Sequence, residues 1–420
     1  MATNTPQSSI PTTRREFLRS SATKGIGLLA FSQFAPSFLV NSTLAQAPKA
    51  EKDRSILVLI QLAGGNDGLN TLVPFQNDDY YRLRPNIGIA KDKVLRLSDT
   101  EGFNPVCGGM HNLFKDGKLA VIQNVGYPNP NRSHFRSTEI WETASDSDRV
   151  GATGWIGRYL DNACSGTPEG DHDPVAIHAN TLNGAPESFI GENPHATFGL
   201  GGYGPNRKDA EETRRLLETL SGSPSGDHSS ESFLKHTLMD SLVTETKVQK
   251  VINGYRTQAN YPTTPFGNSL KNVASLIAAN LPTRVYFVTL NGFDTHYNQI
   301  ATQSRLLTEL SNGLAAFQKD LEAHKLDNQV LTMTFSEFGR RASENESKGT
   351  DHGTASPLFV MGSKVKAGLH GTAPLLNIPK NQDITFSTDF RSVYATVLEK
   401  WLENPSEAVL GGKFSTLGFV

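Results

Sequence analysis

What most constrains the fold is a recurrence: short apolar runs of strand length alternate with helical segments from residue 55 to residue 402. The strand-like runs are Ser55 to Leu62, Leu119 to Val125, Pro174 to His178, Arg284 to Leu290, Gln329 to Phe335 and Pro357 to Met361. Helical patterns cover Val106 to Lys115, a segment starting near Ser133, Gly154 to Cys164, Ser269 to Ala279, Ala301 to His324 and Asp389 to Leu402. Such alternation predicts an α/β three-layer sandwich, a mostly parallel sheet with helices on both faces. A chain of 420 residues can bury the core this needs, as one large domain or two smaller ones.

In a parallel sheet the loops that follow the strands emerge at one edge, so residues far apart in sequence meet there. Four of the strand-like runs end in chemically active corners. Ser55 to Leu62 leads to Asn66 and Asp67, and Leu119 to Val125 leads to Asn131-Arg132-Ser133-His134. Arg284 to Leu290 leads to Gly292-Phe293-Asp294-Thr295-His296, and Gln329 to Phe335 leads to Ser336-Glu337-Phe338-Gly339-Arg340. A fifth piece, with Asp351 and His352, precedes the run Pro357 to Met361. Taken singly each residue has an ordinary use: Asp67 in a turn, Ser133 as a helix cap, Asp294 with His296 or Asp351 with His352 in a loop, Glu337 in a first helical turn. Gathered at one edge, they form a carboxylate and imidazole set suited to a divalent cation, with a hydroxyl nearby. Other templates fail, since Gly64-Gly65-Asn66-Asp67-Gly68 does not meet G-x-G-x-x-G, and the chain has no G-x-x-x-x-G-K-[ST], no H-E-x-x-H and no G-x-S-x-G.

A formal net charge of −2 and the lack of a basic block beyond the N-terminus exclude phosphate-backbone binding, so no nucleic-acid partner is expected. Two cysteines, Cys107 and Cys164, make neither a disulfide framework nor a thiolate cage, although they can pair in an oxidising compartment. The first residues say where that compartment lies. Thr13-Arg14-Arg15-Glu16-Phe17-Leu18 precedes an apolar run from Gly25 to Val40 and the small residues Ala45-Gln46-Ala47. This order reads as a twin-arginine signal peptide over residues 1–47. The expected partner in export is the twin-arginine translocase, and the expected location is the bacterial periplasm or the medium. No later segment has the ~20 apolar residues of a membrane span. The stretch from Gly184 to Pro265 differs in texture, with Gly/Pro/Asn-rich loops, polar helices around Asp209 to Leu220 and Ser232 to Ile252, and no strong strand. It reads as an insertion or cap over one end of the sheet.

The stretches LVLIQLAGGNDGLNTLVPF, NRSHFRSTEIWE, GFDTH and TFSEFGRRASENESKGTDHGTASPLFVMG together resemble a family of uncharacterised, twin-arginine-exported bacterial proteins. That family is grouped with the alkaline phosphatase superfamily, which also holds sulfatases. The resemblance covers almost the whole mature chain. By local sequence, Asp351-His352-Gly353 matches the superfamily's Asp-His-Gly corner, with His370 as its later histidine. By topology, Ser336-Glu337-Phe338-Gly339 occupies that corner and His352 is the later histidine; this register keeps strand, loop, histidine and strand in order. It places Asp67, Glu337 and the Ser133 hydroxyl around one metal, and Asp294, His296 and His352, with Asp351 beside them, around another. Phe338 then stands where a metal-binding histidine should be, so the resemblance implies one well-held cation and a weaker second one, from among Zn, Mg, Mn and Ca. The implied reaction is attack by a metal-activated Ser133 on a phosphate or sulfate ester, with Asn66, Arg132 and Arg136 binding the small anionic substrate. A descendant that keeps the fold but has lost turnover, and binds a partner or glycan outside the cytoplasm, is the alternative.

Overall fold

The computed structural model describes residues 54–163, 174–181, 184–200 and 244–420. The signal segment 1–47, the helix expected over Asp209 to Leu220, and Cys164 lie outside them. The strands are β1 (Ile56–Ala63), β2 (Leu72–Val73), β3 (Leu95–Arg96), β4 (Gly102–Phe103), β5 (Leu119–Gly126), β6 (Ala176–Ala179), β7 (Thr197–Leu200), β8 (Val285–Asn291), β9 (Val330–Phe335), β10 (Ser356–Met361), β11 (Gly368–His370) and β12 (Thr388–Asp389). Nine of them build one sheet in the order β11-β5-β10-β9-β1-β8-β6-β7, with β12 beside β5. The other three, β2, β4 and β3, form a small antiparallel sheet.

The apolar run of β1 explains its central place. Ile56, Val58, Ile60 and Leu62 enter one hydrophobic core, and Leu57 and Leu59 enter another on the opposite face. Tyr286, Val288 and Leu290 of β8 join the first core, while Val285 and Phe287 join the second. A strand apolar on both faces belongs in the middle of a sheet covered on both sides, where each buried aliphatic side chain contributes about 1.5–3 kcal/mol. The covering helices are α1 (Gly108–Lys115), α4 (Pro265–Ala278) and α5 (Gln299–Ala323) on the first face. On the second are α2 (His134–Thr143), α3 (Trp155–Ala163) and α6 (Phe390–Thr396). Helix α4 starts where its sequence says it should: Thr264 accepts from the Gly267 amide at 3.2 Å, and Pro265 follows at the first helical position. The result is the three-layer α/β architecture expected.

Strand direction decides where the corners fall. β1 runs parallel to β8 and β9, with Ala63 level with Asn291 and Gln61 level with Phe335. β5 shares this direction, because β10 lies antiparallel to both β9 and β5. The loops after β1, β5, β8 and β9 therefore leave the sheet at one edge. β10 enters from that same edge, with Ser356 level with Val125, so the segment before it lies at the edge too.

One detail differs from expectation. Thr197–Leu200 is a sheet strand, parallel to β6, although the stretch from Gly184 was expected to hold no strong one; four residues among glycine, asparagine and proline leave little pattern to read. Of the helix expected over Ser232 to Ile252, residues 244–254 are described and helical. The last helix begins at Phe390, capped by the Asp389 carboxylate on the Arg391 amide, and Val397–Trp401 continues it as a π-turn. Cys107 is buried and free, and burial pushes its thiol up to about 12. Among the described residues no helix is long and apolar enough to cross a membrane.

Candidate metal centre

The four corners are locked to one another before any side chain is aimed. The Gly292 and Phe293 amides donate to the Ala63 carbonyl, and the Asn66 amide donates to Ser336 Oγ, which donates to the Leu62 carbonyl. Gly64, at φ +117°, donates its amide to Glu337 Oε1 at 2.8 Å. A Cβ at Gly64 would lie 2.3 Å from the Asp294 nitrogen, so this close approach requires glycine. The buried Arg340 guanidinium ties the corners further, donating to the carbonyls of Gly64, Gly65, Phe293 and Thr350, and to Asp294 Oδ1 at 2.7 Å. Loop 336–355 folds back on itself, with Arg340 bridged to His352 and the Gly353 amide on the Gly339 carbonyl.

Three histidines from three different segments converge on Asp294 across this frame. His296 Nε2 lies 3.0 Å and His352 Nε2 lies 3.1 Å from Asp294 Oδ1, and the two ring nitrogens are 3.0 Å apart. His134, the first residue of α2, brings its Nε2 to 3.6 Å from Asp294 Oδ2. Each imidazole is held from behind at Nδ1. His134 Nδ1 meets Glu337 Oε1 at 2.8 Å, His352 Nδ1 meets the Arg132 carbonyl at 2.8 Å, and His296 Nδ1 faces Asp351 Oδ1 at 3.4 Å. Those partners can only accept, so they place a hydrogen on each Nδ1 and leave the Nε2 lone pairs pointing at the carboxylate.

This arrangement fits a cation. Two Nε2 lone pairs and a carboxylate oxygen, mutually 3.0–3.1 Å apart, repel unless a proton or metal ion lies between them. A tetrahedral ion with bonds of about 2.0–2.1 Å holds its ligand atoms about 3.3 Å apart. Histidines fixed at the far nitrogen by a carboxylate or carbonyl are the usual supporting arrangement of metal-binding imidazoles. His134, Asp294 and His352 form a group whose ligand atoms lie within 4.8 Å of one another. Charge follows the same pattern. Burial works against ionised Asp294, but the hydrogen bond from Arg340 holds its carboxyl down at about 2. The hydrogen bond to Glu337 raises His134, whereas burial lowers His352.

A family model described as "Protein of unknown function (DUF1501)" matches residues 54–404. The chain belongs to this family. No curated protein matches it in sequence. Among solved structures, this DUF1501 member is similar to the zinc complex of the C-terminal periplasmic domain of EcEptC from Escherichia coli, at 12% identity and a TM-score of 0.33, over 76% of this chain and 78% of that one. It is also similar to a protein in the alkaline phosphatase superfamily from Vibrio parahaemolyticus, at 8% identity and a TM-score of 0.32, over 79% and 64% of the two chains. A third is the alkaline phosphatase from the Antarctic bacterium TAB5, at 13% identity and a TM-score of 0.30, over 74% and 92%.

Asp294, His296 and His352 meet in the DUF1501 chain as the topological register expects, while His370 lies on β11 beside Phe419, opposite the middle of β5. Other expected roles need correction. Asp67 is no free ligand: its two carboxylate oxygens accept from Arg84 at 2.6 and 2.9 Å, and Gln299 also donates to it. Glu337 and Asp351 stand behind His134 and His296, as orienting acceptors rather than in the ligand shell. Asn66 is fully buried, its Oδ1 accepting from Thr71 at 3.0 Å. Arg136 is engaged by the carbonyls of Asp146, Ser147 and Arg149 and by Glu139. Arg132 is exposed and pairs with Asp383 at 3.2 Å. Ser133 is the exposed N-cap residue of α2, yet its side chain makes no cap hydrogen bond. Ser137 is a structural hydroxyl, bonded to Tyr127 and to the Glu337 carbonyl. His134 was not among the expected ligands, although its position at a helix start on the site edge was the available signal for a candidate one.

Proposed function

We propose that this protein is an exported hydrolase of phosphate or sulfate esters that depends on a divalent cation. The observation that carries the reading is the convergence of three imidazoles, each fixed at Nδ1, on the Asp294 carboxylate. Asp294, His296, His352 and His134 would hold the ion, and a nitrogen-rich set of this kind suits zinc better than magnesium or calcium. When bound, the cation supplies Lewis acidity toward the ester oxygens and the attacking hydroxyl.

The chain's own groups supply the rest. Ser133 Oγ, uncommitted to the helix cap and one residue from His134, attacks phosphorus or sulfur, and the alcohol leaves. Water then releases the inorganic anion from the serine. The start of α2 favours an anion there, and Arg132 is the exposed guanidinium nearest the nucleophile in sequence. The twin-arginine motif supports work outside the cytoplasm, after passage through the twin-arginine translocase.

The test is to measure bound metal in the purified protein, and hydrolysis of aryl phosphate and aryl sulfate, beside Ser133→Ala. Metal-dependent turnover that falls at least about 100-fold in the variant is expected. Turnover unaffected by the substitution removes Ser133 from the mechanism. Bound metal without hydrolysis of either ester supports the second reading, a binding protein that has lost turnover, which the commitment of Asp67 to Arg84 favours.

A further inference from the structure

We infer that this centre takes one divalent cation only, because a buried guanidinium, Arg84, already holds the carboxylate that a second would have to use. The inference rests on the metal-centre reading above and fixes its stoichiometry. The family resemblance implies a second ion among Asp67, Glu337 and Ser133, and the residues present do not fit one.

Asp67 and Arg84 form a bidentate pair, with side chains 1% and 0% exposed. The guanidinium is also bonded to Asn70 Oδ1 at 2.9 Å and to the carbonyls of Ala342 at 2.8 Å and Arg341 at 2.9 Å. Every nitrogen of Arg84 is thus engaged, and the group cannot swing aside. A second dication on Asp67 would leave Arg84 buried, charged and unpaired, which is among the costliest changes a core can suffer.

Glu337 is already engaged by the histidine centre. Its Oε1 accepts from the Gly64 amide and His134 Nδ1, both at 2.8 Å, and so serves the histidine centre. Phe338, 1% exposed, packs its ring 5.0 Å from His134 and 4.5 Å from His352 between ring centroids, and offers no lone pair. Arg340 sets a fixed positive charge on Asp294 itself. The negative charge that two dications would need is already balanced by protein cations.

The experiment is zinc titration of the purified, chelator-stripped protein by calorimetry, with metal content after dialysis read by mass spectrometry. One equivalent is expected in the wild type, with Kd below about 1 μM. Asp67→Asn is expected to keep that equivalent with affinity within about threefold, and Asp294→Asn to lose at least about 100-fold in affinity. Should Asp67→Asn fail to fold, Asp67→Leu combined with Arg84→Met removes the carboxylate without leaving a lone buried charge, and the expectation is the same. Two tight equivalents in the wild type, one of them lost with the Asp67 carboxylate, would overturn the inference while leaving the metal centre standing. No bound equivalent would instead overturn the metal-centre reading, and this inference with it.

Discussion

The Asp67–Arg84 pair should be energetically coupled far beyond an ordinary ion pair, and a double-mutant cycle will read this directly. Both groups are buried, at 2.6 and 2.9 Å, in a two-pronged geometry. Unit charges about 3 Å apart attract by about 5–6 kcal/mol at an effective dielectric constant of about 20. Gln299 still donates to Asp67 once Arg84 is gone, so Arg84→Met should cost somewhat less, about 3–5 kcal/mol of unfolding free energy. Asp67→Leu should cost a similar amount, because it strands the guanidinium. The double variant replaces the pair by apolar side chains and leaves no buried charge, so its loss should fall below the sum of the singles by at least about 2 kcal/mol. Urea unfolding at neutral pH, followed by far-UV circular dichroism, measures all four proteins. Single losses under about 1 kcal/mol that add within about 0.5 kcal/mol in the double variant would refute the reasoning.

Three further outcomes follow from other parts of the molecule. Burial pushes the Glu142 carboxyl up to about 7 against the opposing amides of Ser188 and Glu187. Its stabilising contribution is therefore full at acid pH and is lost as pH rises through 7, a change of about 3 kcal/mol; unfolding free energies of wild type and Glu142→Gln from urea titrations should diverge by that amount between pH 4 and 8, with the variant gaining. Gly339→Ala places a Cβ 1.8 Å from the Ala355 carbonyl oxygen, so it should destabilise by about 3 kcal/mol or more and weaken zinc binding through the displaced His352 loop, as thermal melts and titration will show. In a Cys164→Ser variant the remaining thiol, buried Cys107, should resist a thiol reagent until the protein is unfolded; rapid labelling of the native protein would contradict its burial.

The strands and the edge they share could be read from the sequence because hydrophobic runs and turn residues are local signals. β1 needed only its apolar run, and the glycines after it needed only the corner they make. What side chains do at that edge depends on partners that no local pattern names. Asp67 reads as a ligand until Arg84, 17 residues on, is seen clamped to both its oxygens. Glu337 and Asp351 have the right chemistry for a metal and the wrong distance, one histidine too far back. His134 was hidden by its neighbour, since serine at a helix start draws the eye to the hydroxyl. The four-residue β7 carries too few side chains for its alternation to register.

The reversed direction of β10 has a bearing on how such a centre can vary. A parallel strand in its place would require the chain to travel back beneath the sheet before re-entering, and His352 would then sit at the far end from Asp294. Because β10 starts where β9 stops, Glu337, Arg340, Asp351 and His352 all belong to one continuous loop at the mouth of the centre. A single insertion or deletion there would disturb both the candidate ligands and the arginine beneath them.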